Sequence, residues 1–428
     1  MLARVVFFAG LLGLFSMGLM VGYGWRDAVA GRLPQYATIP DALGLKTQQA
    51  DLDPTRAFSR AIRAIDNGFY GKPDRERLTF AAVQGMLGAL RDPYTVLMPP
   101  QEAERFDERN RGVFIGSGGI GAELSKDPLG ARVRRVFKNS PAATAGVKTE
   151  DVILKVNGVN IAGEDIEEIV KLIRGEPGSE VSLTMFREKT KETKTFRVVR
   201  AIVHIQDVYS EVITGVAGLD SEKVGRLEVR SFSETIVEQF DEELSALQEA
   251  GISGLIIDLR GNPGGLLRAA VEMAARFLDD RLIVSIRDRN GRSDDFYSPS
   301  GFALDHSYPI VLLIDENTAS AAEIFAGAMR DYNAATLVGA HTYGKAVVQD
   351  VVDMPGGAQV KITVARYYLP SGASIQRVED QDGNYVSGGI APDITVEYKD
   401  GDTVVFGNPE KDPQLRRAVE HIVSQIRT

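Results

Sequence analysis

The 428-residue chain contains no cysteine. Disulfides, a cysteine nucleophile and thiolate metal sites are therefore excluded. Histidine is scarce, and His204, His306, His341 and His421 form no HExxH or other close ligand pair, so no metal site is expected. A basic excess is also missing: 49 Lys and Arg stand against 59 Asp and Glu, a formal charge of -10 that leaves no footprint for nucleic acid. The GxxxxGK phosphate loop is absent, as are tandem repeats and low-complexity tracts, and nothing implies a cofactor. What remains is a globular composition, 44% hydrophobic and 25% charged, on a chain long enough for two or three domains.

The longest apolar run lies at the N-terminus. Arg4 precedes a stretch from Val5 to about Tyr23 broken only by small residues and Ser16, followed by the small-x-small site Ala28-Val29-Ala30. Residues 1–30 read as a signal peptide or membrane anchor, since the run is long enough to span a bilayer and Arg26 and Asp27 stand before the cleavage site. An exported protein is expected, periplasmic or extracytoplasmic, with this segment as a candidate inner-membrane anchor. Residues 31–53 form a linker. Helical spacing of Phe58, Ile62, Ile65 and Phe69 marks an N-terminal helical region over 54–111. Residues 112–203 carry short apolar runs between Gly and Pro turns, with one helix near Asp165–Arg174, and read as a β-rich segment. From 204 to 428 strands and helices alternate, an α/β pattern.

Within the α/β segment, a buried strand ending at Ile314 runs through Asp315-Glu316-Asn317-Thr318-Ala319 to Ser320, where a helix begins. Such a corner presents the Ser320 hydroxyl and aims the first N–H groups of the helix, Ala321 among them, at one spot. Taken alone, the segment reads more readily as a helix cap, with Glu323 completing a Ser-x-x-Glu capping box. A serine nucleophile needs a base. Lys345 follows a glycine turn among apolar residues, where an amine can become neutral, and Gln349 stands four residues on, able to orient it. A surface lysine after a turn is the plainer reading, and His341 is the rival base. The turn Arg260-Gly261-Asn262-Pro263-Gly264-Gly265 offers backbone N–H groups from Gly264 or Gly265 as a second oxyanion donor.

Together these pieces resemble the carboxyl-terminal processing peptidases, or tail-specific proteases. The resemblance rests on RGNPGG at 260–265, ENTASAAEI at 316–324, YGKAVVQ at 343–349, LRDPYTVLMPP at 90–100 and KDPQLRRAV at 411–419. It implies a serine endopeptidase that cleaves proteins near their C-termini, with Ser320 as nucleophile, Lys345 as base and Gln349 assisting. The oxyanion hole would be formed by Gly264 and Ala321, on a ClpP/crotonase-like core with an inserted β-rich domain. Thr318 and Ala346 are small departures from the family pattern, and Asp331 matches an acidic position read as structural.

Residues 112–203 resemble a PDZ domain. Gly119, Ile120, Gly121 and Ala122 match its carboxylate-binding loop, and Ser140-Pro141-Ala142 with Ala145-Gly146-Val147 match its central signature. The implied partners are proteins or peptides with free C-termini, an adaptor protein, and further copies of the chain in a homo-oligomer. Arg174 is a candidate bridge from this domain to the core. Two competing readings are a catalytically dead scaffold and a crotonase-type acyl-CoA enzyme. Retention of Ser320, Lys345 and Gln349 together argues against the first. The PDZ-like segment and the lack of a basic cluster for CoA phosphates argue against the second.

Overall fold

A computed structural model describes residues 53–113, 118–214, 222–304, 307–398 and 404–427. The N-terminal apolar run, its small-x-small site and linker residues 31–52 lie outside the described residues. The inner-membrane anchor expected for the exported enzyme is corrected: among the described residues no helix is long and apolar enough to cross a membrane. The longest of them has 15 residues, against about 20 needed to span the hydrocarbon core.

The chain divides into two compact units, Met1–Thr79 and Phe80–Thr428. In the first, α1 (Pro54–Gly68) starts with proline at its first turn, and the Asp53 carboxylate accepts from the N–H groups of Thr55 and Arg56 at 3.0 and 3.3 Å. Helix α2 (Arg75–Gly88) follows. Next come β1 (Val96–Met98) and α3 (Pro100–Arg111). The elements from β2 (Ala122–Asp127) onward are β3 (Gly130–Val136), α4 (Pro141–Ala145), β4 (Asp151–Val156), β5 (Val159–Asn160), α5 (Ile166–Ile173), β6 (Glu180–Arg187) and β7 (Glu192–Val199). They form a separate sheet ordered β2-β3-β4-β6-β7 with β5 on β4, which closes a core of its own. Ile169 and Ile173, four apart on one face of α5, pack with Ile153, Leu183 and Met185 of the strands.

The remaining elements are β8 (Val208–Ile213), β9 (Val224–Val229), α6 (Ile236–Glu249), β10 (Gly254–Asp258), α7 (Leu267–Ala274), β11 (Leu282–Asp288), β12 (Ser293–Tyr297), β13 (Ile310–Ile314), α8 (Ala321–Asp331), β14 (Thr336–Gly339), β15 (Val347–Asp353), β16 (Gln359–Tyr368), β17 (Val378–Glu379), β18 (Tyr385–Ser387), β19 (Ile394–Thr395) and α9 (Pro413–Ile426). One sheet runs β19-β14-β13-β10-β9-β8, parallel except where β8 meets β9. Its central strands β10 and β13 are buried on both faces, which is why they read as apolar runs. Leu255, Ile257, Leu312 and Ile314 point to α6, α7 and α8, while Ile256, Val311 and Leu313 meet Leu415, Ala418, Val419 and Ile422 of α9. A second, antiparallel sheet is ordered β1-β16-β11-β12, with β15 on β16. The expected ClpP/crotonase-like spiral is therefore corrected. The strand–helix alternation is real, but it builds one layered sheet with helices on both faces, while β11, β12, β15 and β16 leave it for a sheet of their own.

A buried ion network closes the layer below α9. Asp258 accepts from Arg226 and Arg260 (2.7 and 2.6 Å), and Arg260 reaches Asp412, the N-cap of α9, at 2.8 Å. Burial alone would raise the Asp258 carboxyl, but the two guanidiniums outweigh it and hold the pKa at about 2. This stability is present above the ordinary carboxylate pKa of 3.8 and is lost as pH falls through about 2. Asp412→Ala should cost about 2–4 kcal/mol, because it takes one of two carboxylates from the buried Arg260 guanidinium and removes a cap. Urea unfolding checks this, and a loss under about 1 kcal/mol would show the network to be dispensable.

Candidate active site

Three loops leave the carboxyl ends of neighbouring parallel strands. Leu259–Gly265 follows β10, Asp315–Ser320 follows β13, and Ala340–Ala346 follows β14. Polar side chains stitch them together. Asp315 Oδ1 accepts from Gly261 N–H at 2.9 Å, Thr318 Oγ1 donates to Leu259 O at 2.9 Å, and Ala319 N–H donates to Asn262 O at 2.9 Å. Tyr343 N–H donates to Thr318 O at 3.0 Å.

Ser320 sits at the resulting corner with φ 58° and ψ -119°. An ordinary N-cap residue is extended, with negative φ. A non-glycine residue in this region costs about 1–3 kcal/mol and persists only where its surroundings enforce it. The cap reading of Ser320 thus does not account for its backbone. Ala321 is the first helical residue, and its N–H has no partner within the helix. Gly264 lies directly behind: a Cβ there, at φ 94°, would stand 2.6 Å from Ala319 O and 2.8 Å from Ser320 Cβ. Its N–H, expected as an oxyanion donor, here donates to Asn262 Oδ1 at 2.9 Å.

Lys345 is half-buried beside this corner. Burial, reinforced by Lys361 of β16, lowers its pKa to about 8, while Glu323 and Asp92 pull the other way. Its Nζ stands 5.5 Å from the centre of the Tyr94 ring. Gln349 donates its amide N–H to Tyr94 O, and among the described residues it makes no hydrogen bond to Lys345. His341, the rival base, is exposed and lies edge-on to Tyr385 at 6.3 Å. Asp331 accepts from Ser371 N–H at 2.9 Å, a loop contact.

Three site residues were not singled out from the sequence. Tyr94 lies in the 90–100 motif but carries no chemistry visible in one dimension. Lys361 faces the site from β16 and lowers the Lys345 pKa by like charge. Tyr367 is buried with its hydroxyl 3.3 Å from Ser320 O. The only signal for the last two was alternation along 359–368.

In the β-rich domain, Gly119 N–H donates to Ala201 O at 2.9 Å, so that donor is committed within the fold. Ile120 is buried, and its carbonyl accepts from Ala142 N–H at 2.7 Å. Gly121 O accepts from Phe137 N–H at 3.0 Å, and Ala122 opens β2 against Val136. Arg174 reaches Glu108 of α3, the helix preceding the domain, at 3.5 Å.

Comparison with known proteins agrees with this architecture. A model of peptidase family S41 matches residues 223–396, a PDZ-domain model matches 132–186, and a model described as the activating protease CtpB N-terminal domain matches 21–102. The carboxy-terminal processing protease CtpB of Bacillus subtilis is 35% identical over 373 residues, covering 86% of this chain and 72% of the relative. A CtpA-like serine protease of Staphylococcus aureus is 33% identical over 355 residues, 82% of this chain and 66% of the relative. An S41 protease structure from Bacteroides fragilis aligns with a TM-score of 0.52 at 18% identity, over 83% of this chain and 92% of that one. The core is thus the α/β fold with inserted PDZ domain typical of S41 peptidases, which replaces the ClpP/crotonase-like expectation. The chain belongs to the carboxy-terminal processing proteases of peptidase family S41, serine-type endopeptidases with a built-in PDZ domain.

The packing of Gly264 against the corner generates a test. Gly264→Ala must push Ala319 and Ser320 aside, and a displacement near 1 Å at a reacting group can cost about 100-fold. Peptide hydrolysis should fall by about that factor while the melting transition stays cooperative. A wild-type rate would show that the close approach does not matter.

Proposed function

We propose that Ser320 attacks the scissile carbonyl of a protein chain near its C-terminus, with neutral Lys345 accepting the hydroxyl proton and the PDZ segment holding the substrate's terminal carboxylate. As the Oγ–C bond forms, the proton moves to Nζ. It then passes to the leaving amine as the C–N bond breaks, and water hydrolyses the acyl-enzyme by the same route. Ala321 N–H supplies the first oxyanion donor. Gly264 supplies the second by exchanging its Asn262 acceptor for the developing charge. Gln349, with its amide nitrogen on Tyr94 O, brings its carbonyl oxygen to the Lys345 amine only once substrate is in place, since among the described residues it makes no such bond in the free enzyme.

What carries this reading is one pairing: a serine held at φ 58° beside a lysine whose burial has brought its amine to about 8. Ser320→Ala and Lys345→Arg should each lose about 1,000-fold or more of peptidase activity, since alanine lacks the nucleophile and a guanidinium stays protonated. In the wild type, kcat/KM should rise with pH through about 8, as Lys345 becomes neutral. An active arginine variant would remove Lys345 from the base role.

Recognition of the chain end is tested separately. A PDZ groove takes an added strand whose carboxylate is held by backbone N–H groups. Amidating a substrate's C-terminus removes charge-assisted hydrogen bonds, and should lower kcat/KM by about tenfold or more. Equal rates for the free acid and its amide on the intact enzyme would sink terminal recognition.

A further inference from the structure

We infer that Glu323 is a positioning residue for proteolysis, holding the nucleophile corner and the base loop in one register through a single buried carboxylate. The inference rests on the Ser320–Lys345 reading above. Glu323 occupies the third position of α8 and is fully buried. Its Oε2 accepts from Ser320 N–H at 2.7 Å and from Lys345 N–H at 2.9 Å. Its Oε1 accepts from the Thr342 hydroxyl at 2.6 Å and from Gly344 N–H at 2.7 Å. The Thr342 oxygen also accepts from Ile390 N–H at 2.7 Å, so its own proton is directed at Glu323.

Four donors converge on two oxygens, two on each. An ionised carboxylate offers four acceptor positions and no proton. A protonated carboxyl would set its O–H against one of those donors, and a glutamine would set an NH2 group against two of them. The geometry therefore calls for the charged form, although burial raises the Glu323 carboxyl above its usual range. Among the described residues no lysine or arginine forms an ion pair with it. A buried charge paired only through hydrogen bonds is costly, and a helix cap alone would not require one.

The arrangement does something a cap cannot. Ser320 and Lys345 are separated by the whole of α8 and β14, yet their backbone nitrogens share one oxygen atom. The strained Ser320 backbone is fixed by the same group that fixes the loop carrying the base. That group also acts on the Lys345 amine. Burial and Lys361 favour its neutral form, Glu323 and Asp92 favour its charged form, and the Tyr94 ring faces it. Neutralising Glu323 should therefore change both the geometry of the site and the pH at which it works.

The test uses the full-length enzyme with Glu323→Gln and Glu323→Asp, and with Ser320→Ala and Lys345→Ala as controls. It reads kcat, KM, the pH dependence of kcat/KM and the melting transition. For Glu323→Gln, kcat should fall about 100-fold with KM changed by less than about twofold, as expected when only the reacting geometry is lost. The acid limb should also move to lower pH, because a negative charge that favours protonated Lys345 has gone. Glu323→Asp keeps the charge on an arm one methylene shorter, so kcat should fall while the limb stays in place. A Glu323→Gln enzyme with kcat within about threefold of wild type, or with an unmoved limb, overturns the inference. If Glu323→Gln does not fold, Glu323→Asp decides, and a wild-type kcat there overturns it. Cleavage by Ser320→Ala or Lys345→Ala would instead defeat the dyad itself, whatever Glu323 does.

Discussion

The site depends on the parallel register of β10, β13 and β14. Leu313 stands beside both Asp258 and Val338, so the three strands end side by side. In an open parallel sheet the loops beyond the carboxyl ends form the natural crevice. Here each of three adjacent loops brings one component: the glycine turn after β10, the serine corner after β13 and the lysine turn after β14. None of these loops is regular structure, so their backbone polar groups must find other partners. Asp315, Thr318, Asn262 and Glu323 provide them, each from a side chain that is nearly or completely out of solvent.

That pattern explains why the corner tolerates strain. The cost of holding Ser320 at positive φ is local, whereas the hydrogen bonds that enforce it are spread over three loops. Breaking one polar link would leave a buried donor or acceptor unpaired, at about 1–3 kcal/mol. The cost of yielding is thus at least comparable to the strain. Below the site, Arg260 extends the same logic: its guanidinium is tied to Asp258, Asp412 and Tyr398 and lies 4.7 Å from the centre of the Phe406 ring. The glycine turn behind Ser320 is therefore anchored to the C-terminal helix by groups that water does not reach.

Much of this was legible in one dimension, for identifiable reasons. Strand β13 stood out because a fully buried strand is an apolar run. The two corners were visible as small-residue turns between such elements. Strand β9 was not, because Arg226 interrupts it, and that arginine is tolerated inside because Asp258 and Glu211 of the neighbouring strands pair with it. Gln349 was assigned to Lys345 by sequence spacing, but its amide goes to Tyr94, a residue 255 positions away that no local rule could bring there. Glu323 was legible as half of a capping box. The other half of its role, the hold on residues 342–345, exists only in three dimensions. The spiral core was an expectation carried by the family resemblance; alternation of strands and helices allows it but does not fix which strands share a sheet.

Charge also separates the two domains by the depth at which it is buried. Arg135 of β3 meets Glu228 of β9 at 3.3 Å, and Arg230 meets Glu123 of β2 at 2.9 Å. Glu228 lies 3.7 Å from Arg226, which in turn holds Asp258. A continuous chain of charges thus runs from the PDZ strands to the turn behind Ser320. Its ends differ: Arg230 and Glu123 are 41% and 37% exposed, whereas Arg260 and Asp412 are 1% and 0% exposed. Exposed pairs contribute about 0–1 kcal/mol and are screened by salt, while breaking a buried pair costs several times more. At the weak end these pairs join the PDZ strands to β9 and the residue just beyond it, and Lys138 adds a further pair to the buried Glu243 of α6. The loop behind Ser320 sits at the strong end, where the paired groups are out of solvent.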